Sequence, residues 1–147
     1  MRIHHVALRV GDCARAADFY TGLLGLPELR RFAADGGPRA VWVWAGDAVI
    51  MLADEHPEMG HRGPRSLGGS SVSIMLYLPD VDAVFERALK AGARAQRPVQ
   101  NQFYGDRSGT LEDPFGHVWT IATSSRTGCA RSRWAWCTAS RARPASR

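Results

Sequence analysis

A chain of 147 residues with 45% hydrophobic and 22% charged residues can build one core, or two small fused ones. It has no apolar run near the 18 residues of a membrane span. The net charge of +5 excludes less than it promises: residues 124–147 carry six arginines and no acid, so +5 less +6 leaves −1 for residues 1–123. The basic balance therefore belongs to the tail. That tail is expected to be a solvated, disordered extension rich in Arg, Ser and Ala rather than a nucleic-acid arm. Cys13, Cys129 and Cys137 are odd in number and lack motif spacing, which argues against a disulfide framework or a zinc site.

The chain opens without a signal-peptide pattern, so a cytoplasmic protein is expected. Ile3–Val10 alternates as a strand, with His4, Val6 and Leu8 on one face and His5, Ala7 and Arg9 on the other. Asp12 is a good N-cap for a helix over Ala14–Leu24, whose apolar positions Ala16, Ala17, Tyr20, Leu23 and Leu24 recur at helical spacing. Gly25 follows where such helices stop. Glu28–Phe32 reads as a short strand and residues 34–38 as a loop. Ala40–Ala45 reads as a strand with Trp42 and Trp44 on one face. Gly46-Asp47 makes a hairpin turn into a strand over Ala48–Ala53.

After a polar linker over residues 54–69 the pattern repeats. Ser71–Leu78 is a strand. Asp80 or Asp82 caps a helix running to about Lys90, and Arg94–Pro98 is a further strand. Arg107–Glu112 and His117–Thr123 form a hairpin around the turn Asp113-Pro114-Phe115-Gly116. Each half is thus β-α-β-β-β, and repetition of a whole supersecondary unit is the strongest organisational signal in the chain. The predicted divisions are a first module at 1–53, the linker at 54–69, a second module at 70–123 and the tail at 124–147.

The strand HHVALRVGDCARAADFYTGLLGL resembles the opening of glyoxalase I and bleomycin-resistance proteins. The hairpin YGDRSGTLEDPFGHVWTIAT resembles the closing segment of the same group. Residues 1–123 are thereby similar to the vicinal oxygen chelate superfamily. The resemblance implies an α+β fold of two tandem βαβββ modules, their strands curled into a cup-shaped mixed sheet, usually in a homodimer. It also implies four metal-ligand positions, which fall on His5, Met51, Ser73 and Thr120. A carboxylate is expected at the second, His at the third and Glu at the fourth. A thioether and two hydroxyls bind a borderline divalent ion weakly, so the expected cofactor is none, or a weakly bound divalent metal.

Arg9 shares a strand face with His5, and the resemblance carries over a role in gripping a substrate carboxylate, for which a guanidinium is suited. A surface ion pair with Asp12 or with a dimer partner is the competing reading. Trp42, Trp44, Met51, Ser73, Tyr77, Tyr104, Ser108, Thr110 and Thr120 complete the candidate ligand-binding set, with Phe103 beside them. His5 is the one candidate for both metal binding and catalysis. His56 and His61, with Glu55 and Glu58, form a second cluster in the linker. Tyr20 reads as a packed side chain, His117 as a packed or surface imidazole, and Cys13 as a small residue of the first helical turn. The expected partner is a small organic molecule; a membrane or nucleic acid is not expected. The competing function is a metal-dependent lyase, isomerase or dioxygenase of the glyoxalase class, using His5.

Overall fold

The computed structural model describes residues 3–33 and 40–124. The predicted loop at 34–38 and all but the first residue of the predicted tail, with Cys129 and Cys137, lie outside them. The first module comprises β1 (Val6–Val10), α1 (Cys13–Leu23), β2 (Glu28–Phe32), β3 (Ala40–Ala45) and β4 (Ala48–Asp54). A 3-10 turn at Pro57–Met59 and a one-turn helix α2 (Pro64–Leu67) follow. The second module comprises β5 (Ser73–Tyr77), α3 (Val81–Lys90), β6 (Arg94–Asn101), β7 (Asp106–Glu112) and β8 (Val118–Ser124). This is an α+β fold of two tandem βαβββ units.

The two sheets are built alike. The first runs β1-β4-β3-β2 and the second β5-β8-β7-β6. In each, the outer strand β1 or β5 pairs in parallel with the last strand of its module, and the other pairings are antiparallel. Alternation decides what each face carries. Leu8, Val10, Val41, Val43, Ile50 and Leu52 point from the first sheet into the core, as do Leu111, Trp119 and Ile121 from the second. α1 packs on β3 and β4, α3 packs on β6, β7 and β8, and the two helices touch, so both modules share one apolar core.

The helix ends follow their capping chemistry. The Asp12 carboxylate accepts from Arg15 N at 3.0 Å, and Gly25 takes φ 65° one residue past the Leu24 C-cap. At α3 the cap is Asp80, which accepts from Ala83 N at 3.0 Å. Asp82 instead takes a bidentate grip from Arg107, both contacts at 2.7 Å.

Three strands differ from the periodicity by two residues or more at one end, and β4, β7 and β8 by a single residue. β1 starts at Val6, where its parallel ladder with β4 begins opposite Ile50. β5 starts at Ser73 because Ser70 Oγ takes both Val72 backbone groups, donating to O at 2.7 Å and accepting from N at 3.3 Å. β6 runs three residues past Pro98. It is an edge strand with irregular register between Arg97 and Gln100, where a missing N–H costs no ladder bond.

Cys13 is buried, donates its thiol to Leu52 O at 3.3 Å, and offers its backbone N to Asp54 Oδ1 at 2.6 Å. Burial first, then the Asp54 charge, push the thiol from 9.0 to about 11. A folded-state value above the unfolded one contributes stability in full below pH 9, and that contribution is lost as pH rises through about 11. Urea unfolding across that window should therefore show a decline that Cys13→Ala makes shallower. An identical slope in both proteins would overturn the assignment.

Candidate functional site

Each sheet keeps one face toward its helix and leaves the other open. On the first sheet the register aligns Ala7, Met51, Trp42 and Arg30 across four strands, all on the open face. Trp42 is the hub of an aromatic cluster there. The His5 ring stacks on it with centroids 5.3 Å apart and planes at 30°. His4 meets it edge-on at 5.7 Å, and Phe32 lies 5.7 Å away on the other side. The Arg30 guanidinium sits 4.8 Å over the Phe32 ring. Trp42, Trp44, Met51 and Arg9 are half-buried, and Phe32 is exposed. Arg9 makes no ion pair with Asp12; that carboxylate is used by the α1 cap.

The open face of the second sheet is richer in hydroxyls. Met75, Thr120 and Thr110 align across β5, β8 and β7, and the two threonine hydroxyls share a 3.2 Å hydrogen bond. Ser73 and Tyr77 stand on the same face of β5, both exposed, and Ser108 is buried opposite Ala122. Tyr77 donates to Asp106 Oδ2 at 2.7 Å, and this bond, with some burial and the charge behind it, pushes the phenol up to about 12. Tyr104 caps the β6–β7 turn with its ring 5.1 Å from Phe103, which is wholly exposed. A concavity bounded by Arg65, Ser70, Gln96, Glu112 and Val118 reaches the end of this face.

Between the modules lies a polar knot that local sequence patterns do not display. Asp113 is buried at 2% exposure. Its Oδ2 accepts from the Tyr20 hydroxyl and from Trp119 Nε1 at 2.9 Å, and its Oδ1 accepts from Phe115 N and His117 N, both at 2.9 Å. The His117 ring reaches across to Arg9 O, with Nε2 at 3.0 Å. Tyr20 and His117 are both packed, and each also carries a hydrogen bond between modules.

The model of the Glyoxalase/Bleomycin resistance protein/Dioxygenase superfamily matches residues 2–121. The chain belongs to this superfamily. It is 40% identical over 126 residues to the Mycobacterium bovis protein Mb0911c, covering 81% of each chain. Among solved structures it is similar to TioX from Micromonospora sp. ML1, at 26% identity and TM-score 0.63, covering 84% of this chain and 96% of that one. It is similar also to TnmS3, an antibiotic binding protein from Streptomyces sp. CB03234, at 26% identity and TM-score 0.62, covering 85% and 99%.

The four residues expected at metal positions divide between the sheets: His5, stacked on Trp42, and Met51 stand on the open face of the first, Ser73 and Thr120 on that of the second, with Ser73 diagonal to Thr120 across the β5–β8 ladder. His5 Nδ1 lies 2.9 Å from His4 Nδ1, and Thr120 is bonded to Thr110. One imidazole, a thioether and two hydroxyls do not fit a hard or borderline divalent ion. In the linker, His56 and His61 pair through their backbones, and His56 Nδ1 contacts Glu58 at 2.7 Å. Glu55 is taken up by Gly63 N and the Ser66 hydroxyl. No group of three or more acidic, His or Cys side chains is gathered among the described residues.

Proposed function

We propose that the protein binds a small organic molecule between open sheet faces, without a tightly held metal, in the manner of a drug-sequestering protein. The observation that carries this reading is the half-exposed stack of His5, Trp42 and Phe32, a flat apolar wall for a planar ligand. Arg9 supplies a cation at the edge of that face, free of the Asp12 pairing. Ser73, Ser108, Thr110 and Thr120 supply hydroxyls, and Trp44, Met51, Tyr77 and Tyr104 further apolar contact. The description of TnmS3 as an antibiotic binding protein agrees with it. A homodimer completes the site in this reading. Val72, Met75 and Tyr77 are 61%, 48% and 50% exposed, apolar area that a second copy would cover.

Two fluorescent probes test the proposal, anilinonaphthalene sulfonate and its neutral parent N-phenylnaphthylamine. Both should bind the full chain. Trp42→Ala should weaken both about tenfold, as loss of about 1.4 kcal/mol of stacking would. Arg9→Ala should weaken only the sulfonate. Sedimentation velocity of the same samples reads the dimer. Unchanged binding in Trp42→Ala would overturn the reading, as would stoichiometric nickel, zinc or iron on elemental analysis.

A further inference from the structure

We infer that His117 is a positioning residue for Arg9, an imidazole of one module that fixes the main chain from which the guanidinium of the other module projects. The inference rests on the ligand role proposed for Arg9 and extends it to a residue 108 positions away.

β1 is an edge strand with β4 on one side only. Edge backbone groups lack a second ladder partner and leave a strand free to shift. At Arg9 that partner is His117, whose Nε2 stands 3.0 Å from the carbonyl oxygen. A carbonyl can only accept, so Nε2 carries the proton and donates it. A second constraint acts on the same peptide: a Cβ built on Gly63 would stand 2.6 Å from Arg9 O and 3.1 Å from Arg9 C. The linker is therefore in close contact with the carbonyl that His117 holds.

His117 is itself immobilised. The residue is 7% exposed, its N donates to Asp113 Oδ1, and its O accepts from Asp113 N, both at 2.9 Å. Asp113 is anchored in turn by Tyr20 from α1. The orientation of the Arg9 peptide fixes the direction of its Cα–Cβ bond, and so where the guanidinium can reach. Leu8 and Val10, its neighbours on the strand, are 5% and 1% exposed, so this short stretch cannot rotate without uncovering core.

The test uses the full chain and compares His117→Leu, His117→Asn and His117→Gln. Gln places an amide N–H near the position of Nε2; Asn is polar but too short. The first readout is the Arg9 Nε–Hε resonance, assigned by its loss in Arg9→Lys. It should shift or broaden in the Leu and Asn variants and return toward the parent in Gln. The second is the ratio of sulfonate to neutral-probe affinity. It should fall about fivefold in Leu and Asn, recover in Gln, and fall no further when Arg9→Ala is added. An unmoved Arg9 resonance and unchanged ratio, with only a lower melting temperature, would overturn the inference. If Arg9→Ala alone leaves the ratio unchanged, the ligand role of Arg9 fails, and the resonance decides the positioning claim by itself. Should the Leu variant not fold, the Asn and Gln pair carries the comparison.

Discussion

Replacing Asp113 with alanine is expected to cost about 4 kcal/mol of folding stability, read by urea unfolding at neutral pH. The carboxylate accepts from four donors: Tyr20, Trp119, Phe115 and His117. Tyr20 and Trp119 are wholly buried, so water cannot replace the lost acceptor without opening the core. Asp113→Asn should cost less, about 2 kcal/mol, because its amide oxygen still serves the backbone donors while its NH₂ group faces the Trp119 N–H. A loss under about 1 kcal/mol for the alanine variant would show that the knot is dispensable. The knot also ties α1 of one module to the closing hairpin of the other. Its loss should broaden the transition and lower its slope as the modules begin to unfold separately.

The same knot sets the alkaline limit. Burial first, then the Asp113 charge and hydrogen bond, raise the Tyr20 phenol well above 10.0. The folded protein then holds a proton that the unfolded chain gives up. Stability falls as pH rises past the ordinary tyrosine value of 10.0, a loss that begins inside the window set by Cys13 and continues beyond it.

Much of this fold is legible in a single pass along the chain, because alternation and capping are local. The pairing of Trp42 with Met51 on one face, and of Thr110 with Thr120 on another, follows from parity within strands once the hairpins are placed. β2 and β3 have the limits their periodicity gives. What parity cannot carry is contact between modules. Asp113 and Tyr20 are 93 residues apart, His117 and Arg9 108 apart, and no period links them. A buried acid within a turn motif, opposite a helix tyrosine, was the available signal, but turn chemistry alone accounts for an Asp at that position. Phe32 and Arg30 are hidden from the sequence for a different reason. They lie on Trp42's face only through the β2–β3 register, and that register slips between Glu28 and Arg30.

Gly63→Ala is the second change expected to act strongly, by about 3 kcal/mol. The backbone there is extended, with φ −94° and ψ 173°, which alanine adopts without strain, so the penalty is steric. The new methyl would overlap Glu55 Oε1 and stand 2.6 Å from Arg9 O. Glu55 is not free to swing aside, because it holds Gly63 N at 2.9 Å and the Ser66 hydroxyl. The Arg9 carbonyl can retreat only by moving β1 against β4 or by stretching the His117 bond. Gly11 is the matched control: a Cβ there meets nothing within 4 Å, and alanine should change stability by no more than about 0.5 kcal/mol. Gly63→Ala should also move the Arg9 Nε resonance, since the methyl pushes on the peptide that His117 holds. A variant as stable as the Gly11 control, with Arg9 unmoved, would show that the linker does not press on β1 and that the clamp around Arg9 is looser than these distances require.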